Sequence, residues 1–445
     1  MGKTSRRSLV AMAIGLSLVH SIYAAEKAPS QKDIDQIRTE LKLLKESYQA
    51  KIDELEERLA EAEQANEEVS DKTDNLAIEL SQQGNQKAAN TFNPGLGVIL
   101  NGHALSSSKN RDFQIPGYQL SDEAGPGAQG FELGESEVNL TANIDDKFYG
   151  SVTLAFGEGV EVEEAYLQTI ALAQGFNLKA GRFFSNIGYL TSHHTHTDSF
   201  TERPLPYEAF LGGQYTDDGI QLSWIAPTQL FWETGFELYR GENFPAAGSA
   251  HQGQGVWTAF THVGGDINAS QSWRAGLSYL DAAVSDRQTP LGESFSGDSE
   301  LWIADFIWKW APEGNGSNHN AQIQGEWMGR KESGLFTDVN ALTHIYDAHQ
   351  EGWYLQGVYQ FMPQWRVGLR YAQLSSNNLP SEFANTTLDN LNRDPKRTSL
   401  MLDWSNSEFS RFRLQYSQDK TQPESDDVLT LQYIAAFGAH GAHSF

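Results

Sequence analysis

From residue 96 to residue 445, apolar and polar side chains alternate within a series of short segments. The apolar positions of one such segment are Val138, Leu140, Ala142 and Ile144, and the residues between them are polar. Similar segments lie at 148–156, 365–371 and 411–416. A period of two residues places the two sets on opposite faces of a β-strand, and segments of about ten residues are long enough to cross a bilayer obliquely. The alternation therefore predicts β-strands, which a soluble β-sandwich and a membrane barrel would both contain.

The lengths of the connections between the segments distinguish these two folds. About sixteen strands are predicted, starting near residues 96, 131, 147, 160, 176, 218, 229, 255, 270, 299, 319, 351, 364, 396, 408 and 427. Every second connection is a short turn, at Asp145-Asp146, Pro227-Thr228, Met362-Pro363 and 405–407. Most of the other connections are long, at 107–129, 185–217, 240–254, 282–298, 331–350 and 375–395. Two connections on the side of the long loops, near Gly157 and Lys420, are short.

Short turns on one side and long loops on the other are typical of outer-membrane barrels, whereas a sandwich does not sort its loops in this way. Residues 91–445 are therefore predicted to form an all-β transmembrane barrel of about 16 antiparallel strands. An even strand number places both ends of the barrel in the periplasm. The expected surroundings are the lipid of the cell outer membrane.

Residues 1–24 have the pattern of a signal peptide. Lys3, Arg6 and Arg7 precede a short apolar run from Leu9 to Val19, and small residues end at Ala24. The apolar run is too short for a membrane-spanning helix, so we expect export followed by cleavage.

Residues 25–90 are predicted to form an α-helical coiled coil and a linker. Apolar or small residues recur every seven positions at Leu41, Tyr48, Leu55, Ala62, Val69 and Leu76. A second apolar set fills much of the companion position, at Ile37, Leu44, Ile52 and Leu59. Sustained heptads with charged flanks favour association with copies of the same chain, although a single amphipathic helix would share part of the pattern. A periplasmic coiled coil and a homo-oligomer, most simply a trimer, are expected.

The composition excludes several functions. The net charge of −26 argues against a nucleic-acid partner. The absence of cysteine rules out disulfides, cysteine-ligated zinc and thiol nucleophiles. The sequence contains neither a Gly-x-Ser-x-Gly elbow nor an H-E-x-x-H motif. We therefore predict that the protein is not an enzyme and carries no resident cofactor.

Three stretches carry a resemblance to a known class of proteins: V-E-E-A-Y-L-Q-T at 162–169, N-L-K-A-G-R-F-F-S-N-I-G at 177–188, and the ending G-A-H-G-A-H-S-F. The chain resembles proteobacterial porins of the phosphate-selective and siderophore-porin type over nearly all of 96–445. This resemblance implies a barrel of about 16 strands, commonly trimeric, whose terminal aromatic residue, here Phe445, is recognised by the outer-membrane assembly machinery. The chain also looks like relatives described as zinc-regulated receptors, but it is too short for a plug within a barrel of about 22 strands.

In porins of this architecture the third external loop tends to fold into the lumen, and here that loop is 185–217. Its candidate constriction residues are His193, His194, His196, Asp198, Glu202 and Arg203. Two histidines and a carboxylate suit a borderline cation such as Zn²⁺, so His193, His196 and Asp198 form a candidate metal set. A polar loop with solvated histidines is the alternative. The second pair, His440 and His443, is expected to serve terminal packing.

The strand pattern also predicts charges that line the lumen. The basic candidates are Arg366, Arg370, Arg397, Arg411 and Arg413. The acidic candidates are Glu135, Glu137, Glu233 and Glu237. A basic wall opposite an acidic wall would filter solutes by charge, whereas local neutralisation of the lining would have no such effect. The resulting hypothesis is passive diffusion of small solutes, biased to zinc or metal chelates. An anion- or phosphate-selective porin and a structural barrel without transport are the alternatives.

Overall fold

The computed structural model of the protein describes residues 94–438, except 110–112, 122–123, 158, 171, 247–253 and 290. The chain divides into two units, Met1–Ala89 and Asn90–Phe445, and the described residues belong to the second. The predicted signal peptide, the predicted coiled coil, His440, His443 and Phe445 lie outside the described residues. Within the described part of the chain, no helix is long and apolar enough to span a membrane.

Seventeen β-strands and one α-helix are present among these residues. The strands are β1 Gly95–Ser107, β2 Gly130–Leu133, β3 Ser136–Asn143, β4 Phe148–Phe156, β5 Val160–Thr169, β6 Phe176–Phe184, β7 Thr216–Ile225, β8 Phe231–Tyr239, β9 Val256–Asn268, β10 Gln271–Gln288, β11 Ser294–Trp310, β12 Asn320–Thr337, β13 Thr343–Met362, β14 Trp365–Ser376, β15 Lys396–Ser407, β16 Ser410–Asp419 and β17 Asp426–Gly438. The helix α1 is Leu205–Leu211, and single 3-10 turns lie at Ala173–Gly175, Thr195–Thr197, Pro312–Gly314 and Ser381–Phe383.

The strands form one closed antiparallel sheet in which each strand from β3 onwards pairs with the next. The ring closes at β1, which pairs with β17 on one side and with both β2 and β3 on the other. Because β2 and β3 follow one another along the same edge of β1, the seventeen strands occupy sixteen positions around the barrel. At the interruption between them, the backbone N–H of Asn101 donates to the Ser136 hydroxyl at 3.0 Å. The prediction of a barrel of about sixteen antiparallel strands is confirmed.

The barrel has its apolar side chains outside and its polar side chains inside. On β15 the exposed positions include Leu400, Leu402 and Trp404, whereas Arg397, Ser399 and Asp403 at the alternate positions of the same strand are buried. The same inversion holds on β17, where Leu429, Leu431 and Tyr433 are exposed and Thr430 and Gln432 are buried. An apolar outer surface of this extent suits the hydrocarbon of a bilayer and would not be stable in water.

Aromatic side chains gather at two levels of the outer surface. At the end of the barrel with the short turns, here the turn end, Trp365, Trp404 and Phe412 form a row with ring centroids 6.0 and 5.9 Å apart. Nearer the opposite end, here the loop end, Tyr279 lies 4.7 Å from Trp302. Aromatic girdles at both interfaces are a regular feature of barrels that cross an outer membrane.

Two of the predicted long loops are wrong. Strand β10 continues to Gln288 and β11 begins at Ser294, so most of 282–298 is strand. Likewise β12 ends at Thr337 and β13 begins at Thr343, within the predicted loop 331–350. The extended hairpins are stabilised by an apolar cluster inside the loop end, formed by Val284, Phe295, Phe336, Tyr346, Ala348, Phe383 and Leu388. Because apolar residues there face inward, the simple apolar-out alternation is lost and the strands are hidden in the sequence.

The inverted surface makes a direct prediction about Leu400, which lies in the middle of β15 and is half exposed. Leu400→Arg should lower the free energy of unfolding by about 2–4 kcal/mol in a bilayer, because a charge at the bilayer midplane loses its hydration. Denaturant titration of the protein refolded into lipid vesicles measures this. The control is Asn406→Arg at the exposed turn end, where almost no change is expected. Equal changes at the two positions would contradict the assignment of the lipid-facing side.

Candidate pore constriction

The connection between β6 and β7, residues 185–215, lies inside the barrel and is called here the inward loop. Most of its residues are buried although many are polar, and His196 is completely buried. All seven residues of α1 are buried as well. The helix starts after Pro204, with Pro206 in its first turn, and ends at Gly212, whose φ of 65° suits a residue without a side chain. The loop that was predicted to enter the lumen therefore lies inside the barrel.

The inward loop first follows the acidic side of the lumen. Glu237 on β8 accepts hydrogen bonds from the Ser185 hydroxyl and, at 3.0 Å, from the Asn186 backbone N–H. The side chain of Asn186 donates to Glu233 at 3.3 Å. Further along, the Tyr189 backbone N–H donates to Glu326 on β12 at 3.0 Å. The first turn of the loop is thus attached to the wall through carboxylates that face inward.

The loop then reaches the basic side, where four of the five predicted lumen arginines bind it. Arg370 forms an ion pair with Glu202 at 2.9 Å, and Arg397 forms one with Glu208 of α1 at 3.1 Å. On β16, the guanidinium of Arg411 donates to the carbonyl oxygen of His196 at 2.6 Å. The guanidinium of Arg413 donates to the carbonyl oxygen of Asp198, also at 2.6 Å. All four arginines are buried. Their charges therefore hold the loop in the lumen, and they do not line open water.

Arg366, the fifth arginine, has a different environment. It pairs with Asp403 at 2.5 Å and lines the cavity at the turn end. Glu233 is half-buried, and one of its oxygens lies 3.6 Å from Nδ1 of His262. The basic and acidic walls are both present, but they do not face each other across open water. The inward loop lies between them and forms hydrogen bonds or ion pairs with both.

The three histidines of the loop have three different environments. His193 donates from Nδ1 to the Tyr189 carbonyl oxygen at 2.7 Å and stacks on the Tyr189 ring. Burial, together with the nearby charge of Arg203, lowers the pKa of His193 to about 4, so this side chain is neutral at pH 7. His196 lies with Nδ1 2.7 Å from Glu137 on β3. His194 lies between them along the loop and faces the acidic wall.

The environment of His194 favours its charged form. Its Nδ1 lies 3.1 Å from Glu137 and 3.4 Å from Glu163, and its Nε2 lies 3.4 Å from Glu164. Burial alone lowers the pKa of this imidazole, but the hydrogen bonds that it donates to these carboxylates raise the pKa well above its ordinary value. The neighbouring Thr195 hydroxyl donates to Glu135, so four predicted or adjacent acidic groups surround this turn.

The candidate metal set of the sequence is not brought together. Asp198 lies 3.2 Å from Arg203, and His193 bonds to backbone. Among the described residues, the histidine-containing group whose ligand atoms lie within 4.8 Å of one another is Glu137, His194 and His196. Glu137 was predicted as a lumen charge, but its partners lie about sixty positions further along the chain. Spacing within the loop carried no signal of this pairing.

A polar cavity of about 1360 Å³ opens between the inward loop and the turn end. It is called here the vestibule. One side is lined by loop residues, including His193, His194, Thr197 and Ser199. The opposite wall carries a row of neutral amides, Gln322, Gln324, Gln356, Gln360 and Gln364. Such a lining suits hydrated solutes, because each amide both donates and accepts hydrogen bonds.

On the other side of the inward loop, the lumen is filled by apolar side chains. Phe210 of α1 lies against Tyr118 of the first external loop, with ring centroids 5.9 Å apart. Arg330 on β12 donates to the carbonyl oxygen of Ala209 at 3.2 Å, and the Tyr118 hydroxyl donates to the Ser375 carbonyl oxygen at 2.8 Å. The lumen at this level is thus packed around α1.

No family model matches the chain. An uncharacterized protein of Aquifex aeolicus strain VF5 is 30% identical over 340 residues, which cover 71% of this chain and 70% of the relative. Among solved structures, a loop-deletion mutant of OmpT, an outer membrane protein of Vibrio cholerae, has a TM-score of 0.51 at 10% identity, covering 78% of this chain and 100% of that one. The outer membrane channel DcaP of Acinetobacter baumannii has a TM-score of 0.50 at 12% identity, covering 78% and 97%. These structural likenesses establish the fold alone.

The ion pairs of the loop predict its stability in the lumen. Arg370→Met removes the ion-pair partner of the buried Glu202, and the free energy that holds the inward loop in place should fall by about 3–5 kcal/mol. Amide hydrogen exchange at 190–211 in the refolded protein should then become faster, while exchange in the strands stays slow. The control, Arg393→Met, removes an exposed arginine that donates to the carbonyl oxygens of Pro423 and Gln422. Unchanged exchange in the Arg370 variant would show that this pair does not anchor the loop.

Proposed function

Because the chain belongs to the same protein family as the uncharacterized Aquifex aeolicus protein and folds as a closed sixteen-position barrel, we propose that it is an outer-membrane porin for passive diffusion of small solutes. Its lipid-facing surface would lie in the outer membrane. The short turns and both ends of the barrel would lie on the periplasmic side. Export through a signal peptide at 1–24 and recognition of the terminal strand by the assembly machinery belong to the same proposal.

The observation that carries this proposal is the polar vestibule within an apolar-surfaced barrel, narrowed by the inward loop. A soluble barrel has no reason to present Leu400 and Leu431 outside while it buries Arg397 and Gln432. A cavity lined by amides, hydroxyls and a few charges would hold water and hydrated solutes. Solute passage would require a path past α1, through the packed part of the lumen.

A bias towards cations, including zinc and metal chelates, is the finer part of the proposal. Four lumen arginines already bond to loop carboxylates or carbonyl oxygens, which leaves less positive charge for passing anions. On the acidic side, Glu135, Glu137 and Glu163 lie close together, and Glu137 and Glu163 contact His194, which lines the vestibule. Electrostatic attraction would therefore concentrate cations at that wall. Zinc is proposed as a solute, and no resident cofactor is needed for diffusion.

The alternative to a cation bias is a pore that favours anions such as phosphate. Arg366 and Lys309 line the vestibule, and both are cationic. They share that lining with Asp266 and Glu408, so the positive groups do not dominate it. The lining of the vestibule therefore does not support phosphate selectivity, and the proposed cation bias rests on the carboxylates beside His194.

A barrel without transport is a second candidate, favoured by the complete burial of α1. If α1 never moves, the lumen stays closed and the protein serves a structural role, anchored by its N-terminal segment. The two candidates differ in one measurable property, the passage of ions.

Planar-bilayer recordings of the refolded protein separate these candidates. We expect discrete conductance steps, and a reversal potential in a salt gradient that favours cations. A variant lacking 190–211 should conduct several times more, because removal of the inward loop widens the narrowest section. Steps from the deletion variant but none from the intact chain would identify a closed barrel and reject the porin. Steps with anion preference would reject the cation bias alone.

The oligomeric state tests the N-terminal part of the proposal. A trimer held partly by the heptads of 25–90 should dissociate more readily when that segment is removed. Light scattering of the detergent-solubilised protein, with and without 25–90, measures the mass at decreasing concentration. A monomer in both cases would contradict the trimer.

A further inference from the structure

We propose that Glu137, His194 and His196, with Glu163 beside them, form a binding site for a divalent transition-metal ion that joins the inward loop to the barrel wall. The inference deepens the proposed cation bias, and it rests on the proposed function only for the route by which the ion arrives. It keeps His196 from the set that the sequence suggested and replaces His193 and Asp198 with Glu137, His194 and Glu163.

The geometry brings ligands from three parts of the chain to one point. Glu137 is on β3, Glu163 is on β5, and the two histidines are on the inward loop. Both histidines direct Nδ1 towards the carboxylate of Glu137, at 2.7 Å for His196 and 3.1 Å for His194. Ligand atoms of these three residues all lie within 4.8 Å of one another. A small ion could therefore be reached by all three after minor side-chain rotation.

The donor types match a borderline cation. Imidazole nitrogen and carboxylate oxygen are common zinc ligands, and zinc usually takes four of them. Glu163 is a suitable fourth ligand. It is only 9% exposed, and it lies next to both Glu137 and Glu135. Its Oε2 lies 3.4 Å from His194 Nδ1, so the carboxylate is aimed at the cluster.

Charge provides the driving force for binding. Glu135, Glu137 and Glu163 also bring their oxygens within 4.8 Å of one another. With all three carboxylates ionised, even two protonated histidines would leave an excess negative charge in a buried place, which is unfavourable without compensation. The nearby cationic side chains make other contacts. Arg411 donates a hydrogen bond to the His196 carbonyl oxygen. Lys179 interacts electrostatically with Glu164, and its ammonium group lies over the Tyr166 ring. A divalent ion would supply the missing positive charge.

The loop around the histidines is held in shape before any ion binds. His194 immediately precedes the 3-10 turn Thr195–Thr197, and His196 is its central residue. The Thr197 hydroxyl donates to the His194 carbonyl oxygen at 2.7 Å, and the Thr195 hydroxyl donates to Glu135. Preorganised neighbours of this kind orient metal ligands and strengthen binding. His194 also lines the vestibule, which gives an ion an approach from the turn end.

A bound ion would change the behaviour of the inward loop. It would link His194 and His196 to two strands at once, and so reduce the motion of the loop near the vestibule. An ion that binds the constricted state better than an opened state shifts the population towards constriction. Zinc at this site would therefore lower the conductance of the pore, and a chelator would restore it.

The test measures metal binding by the full, refolded protein without reference to ion passage. We would titrate Zn²⁺ by competition with a chromogenic chelator, and record the visible absorption of bound Co²⁺, whose intensity reports a four-coordinate site. Wild type should bind one ion per chain. His194→Gln/His196→Gln should lose about 100-fold or more in Zn²⁺ affinity, since loss of outer-sphere partners alone costs about 10- to 100-fold. The Co²⁺ absorption should disappear.

His193→Gln is the matched control. His193 lies on the same loop and lines the vestibule, but its Nδ1 donates to the Tyr189 carbonyl oxygen and does not face the metal site. The Zn²⁺ affinity of this variant should therefore stay within about threefold of wild type. If this variant loses affinity while the double variant retains it, the ligand set proposed here is wrong. Equal affinity in all three proteins, or no Zn²⁺ binding by wild type, also overturns the proposal.

A further variant, Glu137→Gln, distinguishes the loss of a metal ligand from misfolding of the protein. Glu137→Gln keeps the size and one hydrogen-bond acceptor of the side chain but removes the charge, and it should also lower Zn²⁺ affinity by at least about tenfold. Heat-modifiable gel mobility and β-sheet circular dichroism confirm that each variant forms the barrel. Because binding is measured in detergent, a protein that binds Zn²⁺ and shows no conductance would reject the porin and retain the metal site.

Discussion

Every backbone N–H and C=O group of the barrel wall has to find its partner on a neighbouring strand, because a bilayer offers no water to replace a missing one. The pairing of β1 with β17 on one side and with β2 and β3 on the other satisfies this demand and closes the ring. Closure in turn fixes which side chains face lipid. The apolar outer surface and the polar lumen are both consequences of that one hydrogen-bonded circle.

A polar lumen allows an arrangement that an apolar core would not tolerate. The inward loop buries Glu202, Glu208 and two histidines, and each meets an oppositely charged or hydrogen-bonding group on the wall. Ion pairs in such a place are favourable only when both partners are present, so the loop and the wall depend on one another. The constriction, the vestibule and the metal site proposed at Glu137 all follow from the position of this loop.

Much of the barrel could be predicted because lipid and water select side chains at alternate positions. Predicted starts near 160, 176 and 396 agree with Val160, Phe176 and Lys396. The prediction failed at 282–298 and 331–350, where inward-facing Phe295 and Tyr346 pack in an apolar cluster and disrupt the alternation. An alternating pattern predicts a strand only when lipid lies on one side and water on the other. Here the inner side of the strands packs against a distant segment that includes Phe383, so apolar residues occur on both faces.

The sequence by itself determined the strands, their number and the inward direction of Arg370, Arg397 and Glu137, because a period of two residues acts within a single strand. It also identified the loop that carries the histidines. Only the tertiary structure decided the partners of these groups: Glu137 meets His194 and His196, while Arg370 meets Glu202. The physical reason is that ion pairs and ligand sets form between segments brought together by barrel closure, and no local pattern records that distance.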